Sequence, residues 1–139
     1  MWSRLYFAWA GDGAKHLEIS RRLSEIQAAD HVNLLGHVWN LPELMDAADL
    51  FVLPSYHEGM SRAIVEAMAK GLPVIATRVG GIPEALGGGE ILLSAPMNVD
   101  RTASELARAI QNWPKMIKRG SKRVKRSAAG RKANLANPN

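Results

Sequence analysis

Five short apolar runs of β-forming residues, about twenty residues apart, constrain the fold of this chain more than any other feature. They are LYFAWA from Leu5, VNLL from Val32, LFVLP from Leu50, PVIAT from Pro73 and ILL from Ile91. Between them the period changes. Leu17 to Ala28 sets Leu17, Ile19, Leu23 and Ile26 among charged residues, and Ser61 to Lys70 and Ala103 to Trp113 also read as helix. Strands separated by helices need crossover connections, which make neighbouring strands parallel. Nearly continuous apolar strands are those of a sheet covered by helices on both faces. The expected architecture is therefore an open α/β sandwich. In such sheets ligands bind beyond the carboxyl ends of the strands, which directs attention to the loops Gly11 to Lys15, Gly36 to Asn40, Ser55 to Ser61 and Thr77 to Glu84.

The 139 residues suffice for one hydrophobic core, since domains usually run to roughly 100 to 150 residues. With 47% hydrophobic and 22% charged residues, a globular rather than a disordered chain is expected. The apolar run Ala47 to Pro54 is broken by Asp49 and falls far short of the ~20 residues that cross a bilayer. Gly11 and Asp12 end the first apolar stretch too soon for a signal sequence. The absence of cysteine excludes disulfides, thiolate nucleophiles and cysteine metal sites. The cytoplasm is the expected compartment, and a position peripheral to a membrane is compatible with the basic end.

The net charge of +5 divides unevenly. Residues 115–139 hold nine of the eighteen Lys and Arg and no acid, leaving nine bases against thirteen acids before them: +9 on the tail, −4 on the body. Pro114 interrupts the helical pattern, so the sequence divides into a domain over residues 1–113 and a basic end over 114–139. That end offers a helix from about Lys115 to Ser127, then a loose tail. A basic run could contact nucleic-acid phosphates or an anionic membrane, but this one has no interleaved aromatics and reads as a solvated end.

The segment with most chemistry is SYHEGMSRAIVEAMAKGLPVIATRVGGIPE, Ser55 to Glu84. After a strand, Gly59 and Ser61 precede a helix whose first turn has unpaired N–H groups and a positive dipole end, suited to a diphosphate. Glu58 sits just outside that turn. Glu66 lies within the helix among Ala63, Ile64, Val65, Ala67 and Met68, where a carboxylate needs a partner. Spacing alone leaves two readings open. Arg62 and Glu66, or Glu66 and Lys70, are four apart and suit ordinary surface ion pairs, and a glycine before a helix suits a simple turn as well as a phosphate cradle.

This segment resembles that of the retaining glycosyltransferases of the large sucrose-synthase-like family, family four, whose signature is two glutamates separated by seven residues. Here they are Glu58 and Glu66. AMAKGLPVIAT and GGIPE follow, and AGDG at Ala10 to Gly13, LLGHV at Leu34 to Val38 and ADLFVLPS at Ala48 to Ser55 precede. Five ordered blocks across about Leu5 to Asn112 make a specific match. The resemblance implies a Rossmann-like parallel sheet flanked by helices, the C-terminal half of a GT-B fold, with residues 1–113 as the donor domain that binds a nucleoside-diphosphate sugar. It implies that Glu66 holds the donor ribose hydroxyls, and that Glu58, the catalytic candidate, lies near the donor sugar. The N–H groups of Gly59, Met60 and Ser61 would face the sugar or distal phosphate. His37 and Val38 would border the base, and Gly11 and Gly13 would let the AGDG turn pass close to the nucleotide. For Gly80, Gly81 and Glu84 a structural role in the GGIPE turn is favoured.

The family's acceptor domain has no counterpart in these 139 residues, nor does the strand before LYFAWA that leads to the Arg and Lys neutralising the diphosphate; Arg62 is the nearest basic candidate. The acceptor-binding domain or subunit is thus expected on another chain, and the chain is expected to be inactive by itself. A non-catalytic nucleotide-sugar-binding or regulatory subunit of a split transferase is the alternative. His16, His31, His37 and His57 lack paired metal-ligand spacing and no Asp-any-Asp motif occurs, so neither metal nor cofactor is expected. No P-loop or nucleophile elbow appears.

Overall fold

The computed structural model describes residues 5–87, 91–96 and 98–117. The chain divides into two compact units, with the boundary between Leu41 and Pro42.

In the first unit, β1 (Phe7–Ala10) and β2 (Val32–Gly36) pair in parallel, Phe7 opposite Val32 and Trp9 opposite Leu34, with a register shift between Trp9 and Ala10. They are joined by α1 (His16–Glu25) and a 3-10 turn at Ala29–His31. The helix stops three residues before the expected Ala28. Gln27 turns left-handed at φ 55°, and the Gln27 and Ala28 amides bond back to the carbonyls of Ser24 and Leu23. Glutamine at positive φ is uncommon, so nothing local in the sequence announces this end. None of the described residues before Pro42 is buried, and Phe7 and Trp9 of β1 are exposed. Cover on both faces, expected from the apolar run, is thus not found at β1.

The second unit contains the core. Its sheet has the order β3-β4-β5, all parallel: β3 (Phe51–Leu53), β4 (Val74–Thr77) and β5 (Ile91–Leu93). All four residues of the central strand β4 are buried, as expected for a strand with helices over both faces. Around it lie α2 (Leu41–Ala47), α3 (Arg62–Ala69), α4 (Ile82–Leu86) and α5 (Val99–Ile117). On α3, Ile64 and Ala67 are three apart, share one face and are wholly buried where the helix meets β3 and β4. Burying an isoleucine contributes about 1.5–3 kcal/mol. Ile82 and Leu86 on α4 and Ile110 on α5 extend the same core.

Pro114 does not end the last helix, which runs on to Ile117. Lacking an amide proton, Pro114 forgoes one backbone bond, and the helix continues for a further turn. The rest of the helix expected to Ser127, and the tail after it, lie outside the described residues. Among the described residues no helix is long and apolar enough to cross a membrane.

Candidate functional site

The second unit places Glu58 in the loop between β3 and α3, at the carboxyl end of the sheet. Ser61 opens α3 as its N-cap, extended at φ −75° and ψ 108°, and its Oγ accepts the Ile64 N–H at 3.4 Å. That leaves the amides of Arg62 and Ala63, which have no helical carbonyl one turn earlier, at the positive end of the helix. At the other end, Gly71 at φ 67° closes the helix. Its amide bonds to the Met68 carbonyl and the Leu72 amide to that of Ala67, a Schellman arrangement needing a left-handed residue.

The loop before α3 is held from several sides. Ser55 Oγ donates to Glu58 Oε1 at 2.9 Å, and the buried Thr77 donates through Oγ1 to the Ser55 carbonyl at 2.5 Å. The Gly81 amide donates to the Gly59 carbonyl at 3.1 Å. Gly80, at φ 52°, lies so close that a Cβ there would stand 1.7 Å from the Glu58 carbonyl oxygen. A structural role for Gly80 and Gly81 agrees with this geometry. Gly59 is different, because a Cβ on it would meet nothing within 4 Å. Met60 beside it is largely exposed.

Glu66 is partly exposed, 36% for its side chain, and lies 3.9 Å from Arg62 Nη2, itself 93% exposed. An ion pair so long and so open to water contributes little, about 0.3–0.5 kcal/mol for a helix pair of this spacing. Lys70 instead meets Asp46 on α2, at 2.6 Å. Of the two pairings spacing allowed Glu66, the one with Arg62 forms, loosely, while the lysine bonds elsewhere.

In the first unit, the Gly11 amide donates to the Gly36 carbonyl at 2.7 Å, which joins the AGDG turn to the end of β2. Gly13 accepts the His16 amide at the entry to α1. Just beyond Gly36, exposed His37 meets Trp39 edge to face, ring centroids 4.5 Å apart, with Val38 half-buried between them in sequence. Of the residues implied for donor binding, Gly11, Gly13, His37 and Val38 lie in the first unit, and Gly59, Met60, Ser61 and, on α3, Glu66 lie in the second. Among the described residues, no three His, Asp or Glu side chains gather as a metal-binding group.

Sequence reasoning missed Ser55 and Thr77. Their signal was positional: each lies at the carboxyl end of one of two adjacent parallel strands, where Leu53 pairs with Ala76.

Comparison with known proteins settles the family. The pattern described as Glycosyl transferases group 1 matches residues 2–112. The chain belongs to this family. Among similar proteins is N-acetyl-alpha-D-glucosaminyl L-malate synthase of Bacillus anthracis, 40% identical over 58% of this chain and 21% of its own length. Another is 2-deoxystreptamine glucosyltransferase of Streptomyces kanamyceticus, 34% identical over 76% of this chain and 27% of its own. A solved sucrose-phosphate synthase from Thermosynechococcus elongatus superposes with a TM-score of 0.59 at 30% identity, over 81% of this chain and 30% of that one. The parallel strands and flanking helices are those of the Rossmann-like half of a GT-B glycosyltransferase. The chain spans less than a third of the length of each of these three proteins.

Proposed function

We propose that this chain binds a nucleoside-diphosphate sugar and serves as the donor half of a retaining glycosyltransferase, with the acceptor held by residues beyond these 139. The observation that carries the reading is the arrangement at the start of α3. Glu58 precedes a serine-capped helix end, and Glu66 stands one turn into that helix with only a loose, exposed pairing to Arg62. Glu66 accepts hydrogen bonds from the ribose diol, which suits a carboxylate with two oxygens. Glu58 faces the sugar. The amides of Gly59, Met60 and Ser61 meet the distal phosphate or the sugar, and Gly59 leaves open space for that approach. In the first unit, the assignment of His37 and Val38 to the base and of Gly11 and Gly13 to a turn beside the nucleotide rests on the resemblance in sequence alone.

The contribution to catalysis is electrostatic. Charge grows on the departing diphosphate as the glycosidic bond breaks, and fixed N–H donors at a helix end stabilise it without reorganising, by about 2.7–4 kcal/mol for a well-placed donor. No metal is required in this reading.

Calorimetry of the purified chain against UDP-glucose, UDP-N-acetylglucosamine and GDP-mannose, without added metal, tests it. At least one should bind, weakly. Absence of heat at millimolar ligand with a folded sample would remove the donor assignment.

A further inference from the structure

Glu58 is held twice over. Its carboxylate oxygen Oε1 accepts the hydroxyl proton of Ser55 at 2.9 Å, and its own carbonyl is hemmed in by Gly80. Ser55 is fixed in turn through its carbonyl, which takes the hydroxyl of Thr77, a fully buried residue at the end of the central strand β4. An unrestrained glutamate samples many rotamers and places its charge in few of them usefully. Here a chain of hydrogen bonds runs from the core to the carboxylate: Thr77 to Ser55, Ser55 to Glu58. One oxygen of Glu58 is occupied by Ser55, and Oε2 is left for an outside hydroxyl.

We propose that Ser55 is a positioning residue, which orients Glu58 toward the hydroxyls of the donor sugar and is itself anchored by Thr77. The proposal builds on the assignment of Glu58 to the sugar. Ser55 acts through the carboxylate and touches no substrate, so its influence belongs to the sugar and passes through Glu58.

A double-mutant cycle between Ser55 and Glu58 tests this. The quantity to read is the sugar increment, the affinity for UDP-glucose, UDP-N-acetylglucosamine or GDP-mannose divided by that for UDP or GDP, by calorimetry. Ser55→Ala should lower the increment about three- to tenfold, the range for loss of one ordinary intramolecular hydrogen bond, since Ser55 acts only through Glu58. Ser55→Thr, which keeps the hydroxyl, should restore it. Adding Ser55→Ala to Glu58→Gln should change the increment no further. Thr77→Val, close in shape but without the donor, should lower the increment in the same direction and serves if Ser55→Thr does not fold. An unchanged increment in folded Ser55→Ala, or an equal fall on the Glu58→Gln background, overturns the positioning role alone. An unchanged increment in Glu58→Gln itself, or no binding by the wild type, overturns the sugar assignment and the positioning role with it.

Discussion

A side-chain carbon on Gly80 would stand 1.7 Å from the carbonyl oxygen of Glu58, a distance at which one backbone must move. The loop after β4 and the loop before α3 are therefore packed main chain against main chain, and the bond from the Gly81 amide to the Gly59 carbonyl locks them together.

Gly80→Ala should consequently destabilise the chain by about 2–4 kcal/mol, through the clash and through the left-handed φ of 52° that alanine resists. Gly59→Ala, with nothing within 4 Å of the added carbon, should cost less than about 1 kcal/mol. Urea melts of the two variants make the comparison, and equal losses would contradict the close approach at Gly80.

The contrast between these glycines also shows where sequence reading stops. All five strands were legible because each is a compact apolar run, and α3 because Ile64 and Ala67 recur at helical spacing beside an N-cap serine. Helix α2 was not, since LPELMDA is seven residues long with a single buried side chain, Met45, too short to display a period. Pro114 misled, because its local rule, to break a helix, is outweighed in a nineteen-residue helix. The pair of glutamates stood out by spacing. The Thr77 hydroxyl and the Ser55 carbonyl, twenty-two residues apart, meet only once two strands have paired, and no local pattern encodes that.

Ser61 supplies the cap of α3, and Ser61→Ala should cost about 0.5–1 kcal/mol, the lower part of the usual range because its bond is long at 3.4 Å. Ser61→Asp should recover most of the loss. Denaturant midpoints of the three proteins read this directly, and a neutral alanine would show that the cap contributes nothing.

Glu105 gives a pH signature away from the candidate site. Its carboxylate accepts the Ser94 amide at 2.9 Å and pairs with Arg101 at 3.1 Å, and these hold its pKa below the ordinary carboxylate value, the Ser94 bond first. A depressed folded-state pKa stabilises fully above the unfolded pKa, and that stabilisation is lost as pH falls through the folded one. Glu105→Gln should flatten the acid limb of stability against pH, measured by urea melts between about pH 5 and 2. An acid limb identical to that of wild type would contradict the linkage.

Glycosyl transfer should be undetectable with the 139-residue chain alone. Holding donor and acceptor together supplies much of the barrier reduction, and this chain spans 21% and 27% of two relatives' lengths. A product assay with a supplied sugar acceptor checks it. Slow hydrolysis of the donor is compatible with the proposal, whereas efficient transfer would contradict it.

The most direct test of donor binding compares Glu66→Gln with Glu58→Gln, titrated with a bare nucleoside diphosphate, UDP or GDP, by calorimetry. Glu66 is assigned to the ribose, and hydrogen bonds to a charged group contribute about 1.5–3 kcal/mol, so Glu66→Gln should weaken binding on the order of tenfold or more. Glu58→Gln should leave it nearly unchanged, because the ligand lacks the sugar. If Glu66 serves only its loose pair with Arg62, replacing it should cost a few tenths of a kcal/mol in urea melts and nothing in affinity. Equal affinities for the wild type and Glu66→Gln would contradict the ribose assignment.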